Sequence, residues 1–121
     1  MKPDFIGRWV TPSYHTFHPS EEGTFNFFIE NKKEVAKEIF SIDGRISDIL
    51  GNATFQGVLE RDKIKFTKRY SENAIMTSQA HQGEIIYIGQ LVNGHFEGIY
   101  TCMFDETNAD YNGKFFMYSN N

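Results

Sequence analysis

The sequence predicts an all-β fold, namely a closed antiparallel up-and-down barrel of about eight strands, from three observations. Short runs of alternating apolar and polar residues are separated by turn residues along the 121-residue chain, which is typical of sandwiches and barrels. Aromatic residues, which favour strands, make up 16% of the chain. A recurring Gly-centred triplet then favours a barrel over a sandwich. The length suits one domain, so residues 1–121 are predicted to form a single domain.

The alternating runs place the strands. They predict strands at residues 5–11, 24–30, 38–47, 53–60, 63–70, 84–92, 95–103 and 112–119. Residues 31–37 fit either a short helix or the start of a strand, and residues 71–82 and 104–111 are predicted to be loops. Asn93-Gly94, between two strong strand runs, is typical of a two-residue hairpin turn.

The Gly-centred triplet consists of a large apolar residue, Gly and another large apolar residue, each separated by one spacer. Its five copies are Phe5-Gly7-Trp9, Phe55-Gly57-Leu59, Tyr87-Gly89-Leu91, Phe96-Gly98-Tyr100 and Tyr111-Gly113-Phe115. Because strand side chains alternate between faces, the three residues of each copy share a face. Glycine weakens a strand interior, but it permits the bend that closure requires and leaves room for a neighbouring ring. Five copies therefore favour a barrel.

The inward face follows from residues 63–70. Ile64, Phe66 and Tyr70 share one face, which we expect to line the interior, and by the same parity the Gly-centred triplets point inward. A barrel of about eight strands is either filled by side chains or holds one small ligand. The bulk of the inward residues favours a filled interior. The residues predicted to line a ligand site are Trp9, Phe27, Phe55, Phe66, Lys68, Tyr70, Tyr87 and Tyr100.

Lys68 is the polar member of the inward set, and a buried ammonium is costly unless it is paired or neutralised. One hypothesis is a polar group at the barrel mouth that binds an anionic or carbonyl ligand, with tyrosine hydroxyls nearby. The alternative is that Lys68 lies near a strand end and extends its amine to water.

Several motifs resemble those of known barrels. Gly7-Arg8-Trp9 resembles the Gly-x-Trp opening of the calycins, which include lipocalins, fatty-acid-binding proteins and avidins. A further series, covering roughly residues 45–118, is similar to uncharacterised lipocalin-like barrels: Asp48-Ile-Leu-Gly51, Phe55-Gln-Gly57, Ile64-Lys-Phe66-Thr-Lys68-Arg-Tyr70, Tyr87-Ile-Gly89, Phe96-Glu-Gly98-Ile-Tyr100 and Gly113-Lys-Phe115-Phe-Met117. The resemblance implies an architecture and no particular ligand, because such barrels host carriers, inhibitors and enzymes. The late lipocalin arginine has no counterpart, since the last strand offers only Lys114, on the other face.

Composition excludes several classes of protein. The net charge of -4 argues against a nucleic-acid binder, which normally carries a basic stripe. No stretch approaches the roughly 20 apolar residues of a membrane span, and Met1 to Val10 lacks the apolar core of a signal peptide. Cys102 is the only cysteine, which excludes an internal disulfide and fits a reducing, cytoplasmic location. We interpret it as a small hydrophobe.

Catalytic and metal-binding motifs find little support. His15 and His18 are three residues apart, but without further ligands we interpret them as surface residues. The acidic segment 105–110 lacks the Gly and terminal Glu of a calcium loop. The carboxylates with potential acid–base roles are more simply interpreted as turn residues; they are Asp43, Asp48 and Glu60. No catalytic residue, metal site or cofactor is predicted.

The outward face of the last strands carries four large apolar residues, Ile86, Ile88, Ile99 and Phe116. Exposed patches of this kind often mark partner surfaces, so a homo-oligomer is predicted. The alternative is that the N-terminal segment or a helix at residues 31–37 covers them. Three functions remain open: a barrel that binds a small, mostly apolar molecule, a filled barrel that serves as an interaction or oligomerisation module, and a barrel isomerase or cyclase with Lys68 as its polar group.

Overall fold

The computed structural model describes residues 2–11, 21–103 and 109–120, and they form a closed, eight-stranded, all-antiparallel barrel. The elements in chain order are β1 (Phe5–Thr11), β2 (Glu21–Ala36), β3 (Ile39–Asp48), β4 (Gly51–Glu60), β5 (Lys63–Tyr70), α1 (Glu72–Ser78), β6 (Glu84–Val92), β7 (His95–Met103) and β8 (Ala109–Ser119). Each strand pairs with the next along the chain, and β8 closes the barrel against β1. The predicted fold class is confirmed.

The sequence patterns left open or misjudged three regions. Residues 31–36 are in a strand, so the helix interpretation is wrong; they end β2, however, and do not start a strand. The prediction of a loop at residues 71–82 is wrong, because α1 occupies residues 72–78. Of the predicted loop at 104–111, residues 109–111 belong to β8, and 104–108 lie outside the described residues.

Helix α1 is short but well capped. The Ser71 hydroxyl accepts a hydrogen bond from the Ala74 N–H at 3.1 Å, and the acidic Glu72 lies in the first turn, where the helix dipole favours negative charge. Ala74 is buried against Gly51, whose φ of +128° is accessible to glycine alone at little cost. These contacts fix the helix across the end of the barrel where β5 ends.

The inward glycines have the two roles that the sequence suggests. A Cβ on Gly113 would overlap the ring of Tyr100, and one on Gly7 would overlap the ring of Phe25, so these positions leave room for aromatic side chains. A Cβ on Gly98 would instead overlap the carbonyl oxygen of Ile88 on the adjacent strand. Close backbone approach of this kind accompanies the tight coiling of a small closed sheet.

Stacked aromatic rings fill the middle of the barrel. The ring of Phe27 stacks on Phe55 with centroids 4.0 Å apart, and Phe66 stacks on Tyr87 at 4.5 Å. Phe115 meets the Tyr87 ring edge-on at 5.1 Å. All five residues are at most 3% exposed. The middle of the barrel is therefore packed with aromatic side chains.

The two ends differ in their connections. At one end, the turn end, adjacent strands are joined by short turns. One of them is the predicted Asn93-Gly94 hairpin turn, with positive φ at both residues. At the other, the helix end, α1 joins β5 to β6, and β3 turns into β4. Within the described ranges, no helix has the length and apolar composition that a membrane crossing requires.

Candidate functional site

A cavity of about 270 Å³ opens at the helix end of the barrel. Strands β1, β5, β6 and β7 and the segment that follows α1 supply most of its walls. The lining residues are Trp9, Thr11, Leu50, Lys68, Tyr70, Ser78, Gln79, His81, Ile85, Tyr87, Tyr100 and Cys102. The lining combines four large aromatic side chains with several polar groups, as small-molecule sites do.

A buried polar trio, Asp48, Lys68 and Tyr70, lies at one side of this cavity. The Lys68 ammonium donates to Asp48 Oδ2 at 2.7 Å and to the Tyr70 hydroxyl at 2.8 Å. Tyr70 in turn donates to the same Asp48 oxygen at 2.6 Å. The side chains of Lys68 and Asp48 are 2% and 0% exposed. The alternative hypothesis that Lys68 extends its amine to water is therefore wrong.

Burial dominates the electrostatics of the trio. It lowers the pKa of Lys68 from the ordinary 10.5, because the charged ammonium loses its hydration, and the attraction and hydrogen bond of Asp48 oppose this shift. Burial, reinforced by the hydrogen bond to Asp48, raises the pKa of the Tyr70 hydroxyl far above its ordinary 10.0. Tyr70 thus remains a neutral hydrogen-bond donor to the carboxylate.

Asp48 has both a turn role and a site role. Its Oδ1 accepts from the Leu50 N–H at 2.8 Å, which fits the interpretation as a turn residue. Its Oδ2 accepts a hydrogen bond from the Lys68 ammonium, a contact that the sequence interpretation missed. Parity along β3 would have placed the Asp48 side chain inside the barrel, because Ile42 and Ile46 are buried there and Asp48 shares their face. In addition, β3 and β5 both end at the helix end.

Comparison with known proteins adds no relative. No family model, no curated protein and no solved structure matches the chain. The interpretation of the cavity therefore rests on its own geometry.

The structure divides the residues predicted to line a ligand site into two groups. Five of them line the helix-end cavity: Trp9, Lys68, Tyr70, Tyr87 and Tyr100. The other three, Phe27, Phe55 and Phe66, lie in the filled middle. Thr11, whose hydroxyl hydrogen-bonds to the Tyr100 hydroxyl, also lines the cavity and was not predicted.

A second cavity, of about 410 Å³, lies at the turn end. Its walls are mostly apolar, and Phe5, Phe40 and Phe96 are among them. The charged residues Glu60 and Arg61 also line it. The buried ion pair lies at the other end of the barrel, and the aromatic stack separates the two cavities.

The remaining candidates from the sequence fall outside these cavities. His15 and His18 lie outside the described residues, as does most of the acidic segment 105–110. In the ranges that the structure describes, no three His, Cys, Asp or Glu side chains cluster closely enough to hold a metal ion. Cys102 is buried at 2% exposure, next to the cavity.

The outward apolar residues are only partly covered. Ile88 and Ile99 are directly paired across β6 and β7 and are 49% and 53% exposed. Ile86 and Phe116 are half-buried, and the Arg8 guanidinium lies over the Phe116 ring. Residues 31–36 extend from the turn end as part of β2, so no helix at this segment covers the patch.

Proposed function

We propose that the protein is a lipocalin-like barrel that binds a small, mostly apolar, uncharged molecule in the helix-end cavity. The buried Lys68–Asp48 pair beside an aromatic-lined cavity supports this most directly. The volume of about 270 Å³ lies just below the range for small-molecule sites, about 300–1,000 Å³. The ligand is therefore small, on the scale of a single substituted ring.

Charge balance favours a neutral ligand over an anion. Asp48 already neutralises the ammonium of Lys68 at 2.7 Å, so an incoming carboxylate would add a second negative charge to a buried site with one cation. An ammonium has three N–H donors, and among the described residues Asp48 and Tyr70 accept two of them. The third suits a neutral acceptor such as a carbonyl oxygen.

The filled middle sets the depth of the site. Because the rings of Phe66 and Tyr87 stack across the interior, a ligand reaches Lys68 but does not extend towards the turn end. Trp9 and Tyr100 offer flat apolar surfaces on the cavity wall, and ring stacking on such surfaces contributes roughly 0.5–1.5 kcal/mol beyond burial. An unsaturated or aromatic ligand therefore fits better than a flexible chain.

Trp9 provides the assay, since it is the only tryptophan of the chain and lines the cavity. Titration with cinnamamide is expected to change its fluorescence with saturation, while cinnamate, of the same shape but charged, binds at least about tenfold more weakly, equivalent to about 1.4 kcal/mol. Equal affinity for the two compounds, or no saturable signal from either, contradicts the proposal.

Two neighbouring residues of α1 supply matched variants. Ser78 lines the cavity, and Ser78→Phe is expected to block cinnamamide binding by filling it. Thr77 is exposed on the same helix and outside the lining set, so Thr77→Phe is expected to bind like the wild type. Loss of binding in both variants would indicate a general effect of altering the helix.

A second candidate function is self-association through the outward face of β6 and β7. The exposed Ile88–Ile99 pair favours it, because two large apolar side chains side by side in water are a typical feature of partner surfaces. Sedimentation of Ile88→Lys, compared with Val58→Lys on the outward face of β4, tests this. Only Ile88→Lys is expected to lower the molar mass. A monomeric wild-type protein would exclude self-association.

A further inference from the structure

We propose that Lys68 forms a reversible imine with a small aldehyde or ketone held in the helix-end cavity. This inference rests on the proposed function and deepens it, because it selects carbonyl compounds among the neutral ligands and adds a covalent step. The molecule would then be a carrier that holds its cargo by a hydrolysable bond, or a barrel that activates a carbonyl compound.

The amine of Lys68 is held in one position by the trio. Its hydrogen bonds to Asp48 at 2.7 Å and Tyr70 at 2.8 Å orient Nζ at the wall of the cavity, and the side chain is 2% exposed to solvent. A carbonyl oxygen that accepts the third N–H brings the carbonyl carbon next to the nitrogen. Holding two reacting groups in such a geometry replaces a bimolecular encounter by an effectively unimolecular step.

The trio also contains the proton acceptor that the reaction needs. Only the neutral amine is a nucleophile, and Asp48 Oδ2 lies within proton-transfer distance of Nζ. Burial favours the neutral form of the amine, because the charged ammonium loses its hydration in the site. The exposed Lys65 of the same strand forms no ion pair with any carboxylate among the described residues.

The step balances without an added reactant. After the proton passes from Lys68 to Asp48, the nitrogen lone pair forms a bond to the carbonyl carbon and the carbonyl π electrons move to oxygen. One proton moves from nitrogen to that oxygen to give the carbinolamine. Asp48 returns its proton to the hydroxyl, which leaves as water, and the nitrogen lone pair forms the C=N bond. The product is a protonated imine whose positive charge is balanced by the Asp48 carboxylate.

Cinnamaldehyde with sodium cyanoborohydride, followed by intact mass measurement and peptide mapping, tests the inference. The wild type is expected to gain one cinnamyl group at Lys68 with a near-stoichiometric amount of aldehyde, and Lys65→Met is expected to react equally. Lys68→Met/Asp48→Asn removes the amine together with its counter-charge, so neither partner remains buried alone. This variant is expected to lose at least about nine-tenths of the labelling.

Cinnamyl alcohol separates the failure of this inference from failure of the proposed function. It has the shape of the aldehyde but forms no imine, and its binding is followed by Trp9 fluorescence. Suppose that the alcohol binds without reducing the labelling of any lysine, and that the aldehyde labels only exposed lysines. The imine is then excluded, and the non-covalent site remains. If neither compound changes the fluorescence and labelling is the same in the double variant, both proposals fail.

Discussion

Separating the members of the buried ion pair should destabilise the barrel much more than removing both. In Lys68→Met, the Asp48 carboxylate, 0% exposed, loses its counter-charge and keeps the Tyr70 hydroxyl and the Leu50 N–H as donors. Removing one partner of a buried pair typically costs about 3–5 kcal/mol. The two remaining donors place the expected cost near the lower end, about 3 kcal/mol. Asp48→Asn should cost a similar amount, because it leaves an ammonium without a counter-charge.

The double variant Lys68→Met/Asp48→Asn should be far more stable than the sum of its parts suggests. It contains no buried charge at this site, and the amide oxygen introduced at position 48 still accepts from Tyr70, so its expected cost is about 1–2 kcal/mol. The two single effects add to about 6 kcal/mol, so their sum should exceed the double effect by about 4–5 kcal/mol. This is above the usual range of about 0.5–3 kcal/mol for residues in one network.

Urea unfolding at pH 7, followed by Trp9 fluorescence, measures these differences, provided that the slope of each transition is unchanged. Lys65→Met, on the exposed face of the same strand, is the matched control and should change the free energy of unfolding by less than about 0.5 kcal/mol. If the effects of Lys68→Met and Asp48→Asn add within about 0.5 kcal/mol, the two side chains are not coupled and the buried trio is refuted.

Three further outcomes follow from the same structure. Burial lowers the pKa of Lys68 in the folded protein below the 10.5 of the unfolded chain, so the unfolded state binds more protons between these two pKa values. In urea titrations, the free energy of unfolding of the wild type, relative to that of Lys68→Met/Asp48→Asn, should therefore rise as pH increases towards 10.5. A flat or falling difference contradicts this. In thermal unfolding, Gly98→Ala should cost about 3 kcal/mol of stability, because the added methyl group meets the Ile88 carbonyl oxygen. Gly94→Ala adds its methyl group in open space at a φ of +86° and should cost about 1–2 kcal/mol. The reverse order would contradict the packing argument. Ser71→Ala should cost about 1 kcal/mol by removing the α1 cap, and an unchanged melting temperature would show that the cap contributes nothing.

Side-chain parity explains why the barrel was predictable from the sequence. Strand residues alternate between faces, so the position of Ile64 and Phe66 inside the barrel also fixes that of Lys68. The Gly-centred triplets indicated that the sheet must coil. Most strand bounds followed from the turn residues between the strands. Both signals are local, and a meander of neighbouring strands is specified mainly by local signals.

The polar trio was only half predictable, because it joins residues that are 20 positions apart. Parity places Lys68 inside, but its partner depends on how β3, β4 and β5 are aligned, and this register is not visible in any one strand. Asp48 was interpreted as a turn residue because it follows a strand and precedes Gly51. The helix was missed because its seven residues lack a full apolar period, although the Ser71 cap was present in the sequence.

The order of the strands determines how the barrel assembles. All ladders but one join strands that are consecutive in the chain, and the exception pairs Phe5–Val10 with Lys114–Ser119. The consecutive hairpins form at a small entropic cost, whereas the last ladder closes a loop of nearly the whole chain. We therefore expect closure to be the slow step of folding. Until it occurs, β1 and β8 are free edges that a second chain can occupy, so we expect exchange of a terminal strand between molecules to be the main misfolding route.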